Sequence, residues 1–377
     1  MSEEKRLTNF ELLRIIAMLM VVTLHYFLYS GMRPSLTDPV SQYTIFALFI
    51  ESFAIVAVNI FVMISGYFMV KSRFKFRRFC RLIVQVLFYT LMIPLVLSMF
   101  GLTVIAEDLG VYGFNMYILP ISTVHYWFIT AYILLYLISP FLNAAFDKIE
   151  KINLQKIILL LLLFFCGIKS FIPFSLNFDA FGYDFGWFIC LYLTGAYIRI
   201  YGLPALEKKG RGILLYLISV VLIFALRFFS QYFYTRTGYF KYFYDVPFHY
   251  NFILVFTAAI GLFYAFKGIE FKDGWFTSVI RAIAPLCLGV YLIHMHIDVR
   301  DNWYPWTQTL FGSLHEMGFF GTILNMKVTV YFVFILCIAI DFVRSLFFAG
   351  AERNIIEQYE TSKALKEAKS NKSEDGL

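Results

Sequence analysis

Charged residues are scarce in this sequence of 377 amino acids, and their scarcity excludes a soluble globular domain. Only 15% of the residues are charged, whereas 60% are hydrophobic, and the aromatic residues include 45 Phe and 26 Tyr. A single aqueous core cannot bury so much apolar surface, so the lipid bilayer must act as the solvent for most of the chain. We therefore predict an integral membrane protein.

The positive charge of the sequence does not indicate nucleic-acid binding. The formal net charge is +7, but the Lys and Arg residues fall in short clusters between apolar runs. This arrangement is typical of the cytoplasmic loops of membrane proteins. The lipid bilayer is therefore an expected partner, and nucleic acid is not.

The sequence also lacks the residue spacings of a metal site or a disulfide framework. His294 and His296 are two positions apart, which places them about 200° apart on a helix, so both cannot face one ion. The cysteines are scattered without a CxxC pair, so we expect apolar fillers and no disulfides. The five cysteines are Cys80, Cys166, Cys190, Cys287 and Cys337.

The apolar runs and their breaks predict an all-α polytopic membrane protein, a bundle of about ten transmembrane helices. The first run follows Met1–Arg6 without a small-residue cleavage site, so it is predicted to be retained. We predict one transmembrane domain at 1–350 and a charged cytoplasmic tail at 351–377 that is partly disordered. The spans are predicted near residues 12–28, 42–70, 82–101, 123–143, 153–172, 184–203, 212–231, 249–267, 279–299 and 322–345.

The distribution of basic residues predicts the orientation of the bundle. The densest basic segment, from Lys71 to Arg81, holds six Lys or Arg residues and no acidic residue. By the positive-inside rule this segment is cytoplasmic, and both chain termini then lie on the same side. Of the 32 Lys and Arg residues, only Arg33, Lys169, Arg227, Arg236, Lys241, Arg300 and Lys327 fall on the predicted outer side.

Arg14 and His25 form the strongest candidate site, in the first apolar run. They are eleven residues apart, about three helical turns, so they share one face and are separated by roughly 16 Å along the axis. Ionisable residues inside a membrane helix normally face a bundle interior or a wet cavity. His25 can act as a general base, and Arg14 can bind phosphate or polarise a carbonyl. The structural alternative is an arginine that snorkels to the headgroups and a histidine satisfied within the bundle.

Glu11 has two interpretations that the sequence leaves open. Thr8 and Glu11 have the spacing of a helix capping box, which would begin the first helix. Alternatively, the carboxylate pairs with Arg14 one turn further on and holds the guanidinium in place.

The basic segment after the second span contains Arg77, Arg78 and Arg81. Its structural role would be to fix the topology and contact anionic lipid headgroups. Its functional role would be to hold the phosphates of a cytoplasmic cofactor. Both remain open at this point.

Three further motifs have a simpler interpretation beside the functional one. Ser65-Gly66-Tyr67 favours close helix packing, since a catalytic serine would need a base beside it. The aromatic run that begins at His125 is predicted to lie in an interfacial belt. One of His294 and His296 can face the cavity that His25 faces, and His294 has Tyr291 on its own side of a helix.

The motifs together match a known family across most of the chain. In order they are Glu11 with Arg14-x10-His25, Phe61-Val-Met-Ile-Ser65-Gly66-Tyr67, Arg77-Arg78-x-x-Arg81, His125-Tyr-Trp127-Phe128 with Pro140, Gly195-Ala-Tyr-Ile-Arg199, and Leu288-Gly289-Val-Tyr291-Leu-Ile-His294. The sequence thereby resembles the acyltransferase-3 family of integral membrane proteins, and the arginine–histidine pair is the most specific match.

The resemblance implies an acyl-CoA-dependent O-acyltransferase of a bacterial cytoplasmic membrane. Such a protein passes an acyl group, usually acetyl from acetyl-CoA, to a hydroxyl of a cell-envelope glycan or another acceptor. It implies that Arg14 and His25 are essential and that the inner arginines Arg77, Arg78 and Arg81 contact acyl-CoA. Some relatives carry an extracytoplasmic hydrolase-like domain, which is not expected here, so a separate extracytoplasmic transferase remains a possible partner.

A glycan or lipid transporter, or flippase, is the competing prediction. In that class Arg14 and His25 would line a transport path. A sensor or scaffold fits poorly with two ionisable residues inside the membrane. The identity of the acceptor, and whether His25 acts as a base or carries the acyl group, are left open.

Overall fold

Every secondary-structure element of the described residues is helical, as predicted. The computed structural model describes residues 7–102, 104–105, 110–173 and 179–374, with the backbone alone for 351–374. The helices are α1 Thr8–Tyr29, α2 Gln42–Ala54, α3 Ala57–Met69, α4 Phe76–Met99, α5 Val111–Ile118, α6 Trp127–Lys148, α7 Lys151–Leu162, α8 Ile168–Phe171, α9 Phe185–Tyr201, α10 Arg211–Thr237, α11 Lys241–Asp245, α12 Ile253–Lys267, α13 Trp275–Ile283, α14 Cys287–His294, α15 Trp303–Phe311 and α16 Gly318–Glu374.

Nine helical segments within the described residues are long and apolar enough to cross a membrane. The remaining predicted span corresponds to α9, which has 17 residues and, at about 1.5 Å per residue, lies at the lower limit for a crossing. The nine are Thr8–Tyr29, Gln42–Met69, Phe76–Met99, Trp127–Lys148, Lys151–Phe171, Arg211–Thr237, Lys241–Lys267, Trp275–His294 and Trp303–Gly350. The protein is therefore a multi-pass membrane protein.

Contacts between helix ends divide the described loops into two faces. On the first, which we call the basic face, Arg281 donates a hydrogen bond to Thr8 at 3.0 Å, and Lys267 pairs with Glu207 at 2.7 Å. The segment from Lys71 to Arg81 follows the end of α3, where Tyr67 and Phe68 pack against Phe10 in the first turn of α1, so this segment lies on the same face.

The other ends meet on what we call the opposite face. There Gln231 donates to the carbonyls of Ser35 and Asp38, and the Tyr244 hydroxyl donates to the Pro34 carbonyl at 2.6 Å. The chain thus alternates between faces as the sequence predicts. That the basic face is cytoplasmic stays a prediction.

Glycine allows the closest helix contact, between α3 and α9. A Cβ atom added to Gly66 would overlap the backbone of Tyr192, and one added to Gly195 would overlap the backbone of Met63. Small residues permit this approach because membrane helices associate by close packing. The packing interpretation of Ser65-Gly66-Tyr67 is confirmed.

Two local predictions are wrong. Leu7, directly before α1, has an extended backbone, and no side chain caps the helix; Thr8 instead accepts a hydrogen bond from Arg281. The aromatic run from His125 does not form an interfacial belt, because His125 and Tyr126 are buried in the protein. The Tyr126 hydroxyl donates to the Leu292 carbonyl at 2.7 Å, so tertiary packing prevails over interfacial preference.

The C-terminal segment continues α16 as a helical backbone to Glu374. The division into 1–350 and 351–377 remains a prediction. Met1–Arg6 and the last three residues of the tail lie outside the described residues.

Candidate functional site

A narrow cavity of about 260 Å³ runs along α1 inside the bundle. The α1 residues on its wall are Arg14, Met18, Val21, Leu24 and His25. Four of these are spaced by four, three and four positions, which is one face of an α-helix. The cavity therefore follows the predicted stripe from Arg14, nearer the basic face, to His25, nearer the opposite face.

The rest of the cavity wall is mainly apolar and aromatic. The chain leaves regular α-helix at the turn Ala284–Leu286, and Ala284 and Pro285 of this turn contribute to the wall. Irregular backbone at membrane depth is tolerated where protein buries it or where it lines a cavity. The wall residues outside α1 are Val58, Phe61, Ser65, Leu82, Trp127, Phe128, Ile129, Tyr132, Tyr250, Ala284, Pro285, Cys287, Leu288 and Tyr291.

His25 and His294 meet in a direct contact across the bundle. The Nδ1 atom of His25 lies 2.9 Å from Nε2 of His294. The other ring nitrogen of His294, Nδ1, lies 2.5 Å from the Val290 carbonyl oxygen. Residues 269 positions apart in sequence thus form one polar chain at the end of the cavity.

The contact with Val290 fixes the proton positions of the two neutral rings. A carbonyl can only accept, so Nδ1 of His294 carries the proton and its Nε2 accepts. The His25 Nδ1 must then be the donor, which leaves the lone pair on its Nε2. That atom has no hydrogen-bond partner among the described residues, and His25 lines the cavity. The arrangement suits a base or a nucleophile.

Arg14 and Glu11 form an ion pair one helical turn apart. Nη1 of Arg14 lies 2.7 Å from Oε1 of Glu11, and the Glu11 side chain is only 7% exposed, against 32% for Arg14. Because Glu11 makes no capping contact, the pairing interpretation is the one that the geometry supports. The guanidinium is held at the cavity wall, partly accessible from it.

The three inner arginines lie on a helix rather than in a loop. Arg77, Arg78 and Arg81 occupy the first turns of α4, and all are exposed. The loop prediction is wrong here because the helix already begins at Phe76, before the apolar run. Arg78 lies one turn before the cavity residue Leu82, and so on the same side of α4.

Ser65 and Tyr67 have different surroundings. The Ser65 hydroxyl lines the cavity, donates to the Phe61 carbonyl at 2.9 Å and lies 3.3 Å from the Tyr132 hydroxyl. Neither partner is a base. Tyr67 is buried and accepts from Arg199 at 3.2 Å, away from His25. Tyr132 and Trp127 are cavity residues to which the sequence analysis assigned no role at the site.

His294 and His296 face different neighbours, because α14 ends at His294. The His296 ring packs against His125, with ring centroids 4.6 Å apart. Burial lowers the pKa of His125 to about 4. Its Nδ1 donates to the Met116 carbonyl, and its Nε2 accepts from the Ile297 amide, so both bonds use the neutral ring. Among the described residues, no three His, Cys, Asp or Glu side chains group as a metal site.

Fold and site together define a polytopic helical membrane protein with an internal cavity that both Arg14 and His25 line. The family model Acyl_transf_3, described as an acyltransferase domain, matches residues 7–344. The chain belongs to this acyltransferase-3 family, and the protein is therefore a membrane acyltransferase. It matches no curated protein and no solved structure.

Proposed function

We propose that the protein is an O-acyltransferase that moves an acyl group, preferably acetyl, from acyl-CoA at the basic face to a hydroxyl of a cell-envelope or exported glycan. The observation that carries the proposal is the cavity with Arg14 near one end and the His25–His294 pair near the other. The basic face is cytoplasmic in this proposal, and the acceptor reaches His25 from the opposite face.

The donor binds through charge at its phosphates and apolar contact along its arm. Arg78 and Arg81 hold phosphate oxygens by charge-assisted hydrogen bonds, and Arg77 adds positive charge beside them. The pantetheine arm enters past Leu82, on the same side of α4 as Arg78. The apolar wall excludes water, which would otherwise compete as the acyl acceptor.

Proton transfer is assigned to His25. Its Nε2 removes the proton of the acceptor hydroxyl while the oxygen forms a bond to the acyl carbonyl carbon. The carbon–sulfur bond of the thioester breaks, and the CoA sulfur leaves with the proton from His25. His294 accepts a hydrogen bond from Nδ1 of His25 throughout, which orients the ring and stabilises the imidazolium.

A covalent variant uses the same atoms. There Nε2 of His25 attacks the thioester carbonyl carbon, the carbon–sulfur bond breaks, and CoA leaves as a thiolate. The acceptor oxygen then bonds to the acyl carbon and breaks its bond to Nε2, and the acceptor proton passes through the freed Nε2 to the CoA thiolate. In both versions Arg14, held by Glu11 at 2.7 Å, directs the thioester inward from the basic face by a hydrogen bond to its carbonyl oxygen. Because Arg14 lies roughly 16 Å from His25 along α1, it takes no part in the transfer step itself.

Transfer of radiolabel from acetyl-CoA tests the enzyme against the transporter alternative. Inverted membrane vesicles that contain the protein should transfer label from [14C]acetyl-CoA to envelope glycan, and His25→Gln vesicles should not. Glycan movement across the vesicle membrane that continues without any acyl-CoA would favour the flippase and contradict the proposal.

Impermeant thiol labelling tests the orientation. In a Cys80→Ser background the other four native cysteines are buried. Thr37→Cys should react from outside intact cells, and Ser72→Cys only after lysis. The reverse pattern would place the basic face outside and exclude cytoplasmic acyl-CoA as the donor there.

A further inference from the structure

A second cavity, of about 690 Å³, opens at the opposite face of the bundle. We call it the Lys169 cavity. Four basic residues from separate parts of the chain line it: Arg33, Lys169, Arg227 and Lys241. The carboxylates among its described lining residues are Asp179 and Asp245, so positive charge is in excess.

Lys169 lies at one corner of this cavity, and all three protons of its ammonium group are already in hydrogen bonds. Its side chain is buried, and its ammonium donates to Asp179, to Asn251 at 2.9 Å and to Nδ1 of His249 at 3.0 Å. An ammonium has three protons and no lone pair, so Nδ1 of His249 must accept. The neutral His249 ring therefore carries its proton on Nε2 and offers a donor at the cavity wall.

Arg227 supplies a charge whose hydrogen bonds are incomplete. It is only 2% exposed, and its guanidinium carbon lies 3.7 Å from the Phe248 ring centroid and 4.2 Å from that of Tyr244. Its Nε has no hydrogen-bond partner among the described residues. This Nε has almost no accessible surface, so Arg227 acts on an anion in the cavity through its positive charge rather than through this donor.

The buried acidic neighbour does not balance this charge. Glu51 lies 3.8 Å from Arg33 and within electrostatic range of Arg227, so one carboxylate serves two guanidinium groups. Asp179 is already used by Lys169. The donors left for a ligand are therefore cationic or neutral N–H groups, which select an anion with several oxygens.

We propose that the Lys169 cavity binds the phosphate or carboxylate group of an acidic saccharide, and that this saccharide is the acyl acceptor. The role of this saccharide as the acyl acceptor rests on the proposed function. Its binding in the Lys169 cavity does not. The volume lies within the range of small-molecule sites. The cavity wall also offers groups that suit a sugar. The hydroxyls of Tyr242 and Ser35 can hydrogen-bond to sugar hydroxyls, and the ring of Phe181 can pack against the face of a sugar ring.

The two cavities share one stretch of backbone, which places the acceptor beside the transfer path. His249 lines the Lys169 cavity, and the next residue, Tyr250, lines the cavity of His25. The Tyr250 amide donates to the Phe181 carbonyl at 3.0 Å, so this segment is held in place. An anionic group bound by Arg33 and Lys241 would leave the rest of a saccharide to extend towards Tyr250 and His25.

Thermal unfolding of the purified full-length protein in neutral detergent, without acyl-CoA, tests the binding directly. Glucuronic acid should raise the midpoint saturably, whereas glucose and sodium chloride at equal ionic strength should not. Removing one exposed charge, Lys241→Gln or Arg33→Gln, should weaken the apparent affinity for glucuronate by about tenfold. Arg236→Gln, an exposed charge on the same face that does not line the cavity, is the matched control.

The outcomes separate this inference from the proposed function. Arg78→Glu protein should bind glucuronate normally even if acyl transfer fails, because the donor site is at the other face. An equal shift with sodium chloride, or an unchanged affinity in both charge variants, would overturn the inference. So would a Lys241-dependent shift with phosphatidylglycerol nanodiscs and none with glucuronate, since a lipid headgroup would then occupy the cavity.

Discussion

The substitution His294→Phe tests what the His25–His294 hydrogen bond contributes to the reaction, apart from the rest of the cavity. Phenylalanine keeps a planar ring but cannot accept the hydrogen bond that His25 donates over 2.9 Å. In the proposed reaction this bond is made to an imidazolium, and a hydrogen bond to a charged group contributes roughly 1.5–3 kcal/mol. The turnover number of His294→Phe should therefore fall by about 10- to 100-fold.

Glutamine at the same position is the conservative partner for this variant. Its amide oxygen can accept from Nδ1 of His25, and its amide nitrogen can donate to the Val290 carbonyl, as His294 does. His294→Gln should therefore recover most of the rate that His294→Phe loses. The matched control is His296→Phe, two residues further on and outside the cavity wall, which should keep a normal rate per folded molecule.

The assay is single-turnover release of the CoA thiol from acetyl-CoA, with envelope extract as acceptor and protein in nanodiscs. Rates are divided by the amount of folded protein from a melting curve. A His294→Phe protein that folds and reacts at the normal rate would refute the role assigned to the pair. Equal losses in the phenylalanine and glutamine variants would refute the hydrogen-bond explanation.

Three further predictions concern the basic face, the helix packing and a buried histidine. Arg78→Glu should raise the Michaelis constant for acetyl-CoA at least tenfold, whereas the control Arg73→Glu should not; equal constants would leave the segment as a topology signal. Gly66→Ala should lower the stability of the protein by about 1–3 kcal/mol, because the added Cβ overlaps the Tyr192 backbone. The control Gly350→Ala should not lower the melting temperature, because its added Cβ meets no atom within 4 Å and alanine favours a helix over glycine. Because burial lowers the pKa of His125 to about 4, the unfolded state binds more protons below about pH 6.5, and roughly 3 kcal/mol of stability should be lost as pH falls to 4. His125→Gln should reduce that pH dependence, and an unchanged slope would contradict it.

The sequence predicted the features that depend on helical periodicity and hydropathy. The common face of Arg14 and His25 follows from their spacing alone, and the structure places both at one cavity. The segment that begins at Phe76 was placed several residues too late because Arg77, Arg78 and Arg81 reduce its hydropathy without preventing a helix. Hydropathy therefore located this span but not its first turn.

Features that depend on tertiary contacts were harder to predict from the sequence. The sequence left open which of His294 and His296 faces His25, and their helical spacing did not predict the direct contact of His294 with His25. The proton positions of the pair depend in addition on the Val290 carbonyl. The local sequence around His125 fits both a buried position and a position in an interfacial belt, so it could not distinguish them. No local sequence pattern predicted the Lys169 cavity, because Arg33, Arg227 and Lys241 lie far apart in the chain. Each of them, taken alone, resembles an ordinary single charge on the outer side of a membrane protein.

His25→Gln tests the central claim, that His25 performs chemistry rather than holding the bundle together. Glutamine is similar in size and keeps a donor for His294, so the variant should insert and melt nearly as the unmodified protein does. Acetyl transfer per mole of folded protein should fall by a factor on the order of 10² or more, the usual contribution of a positioned base. Normal specific activity together with a lowered melting temperature would contradict the account and leave His25 a structural residue.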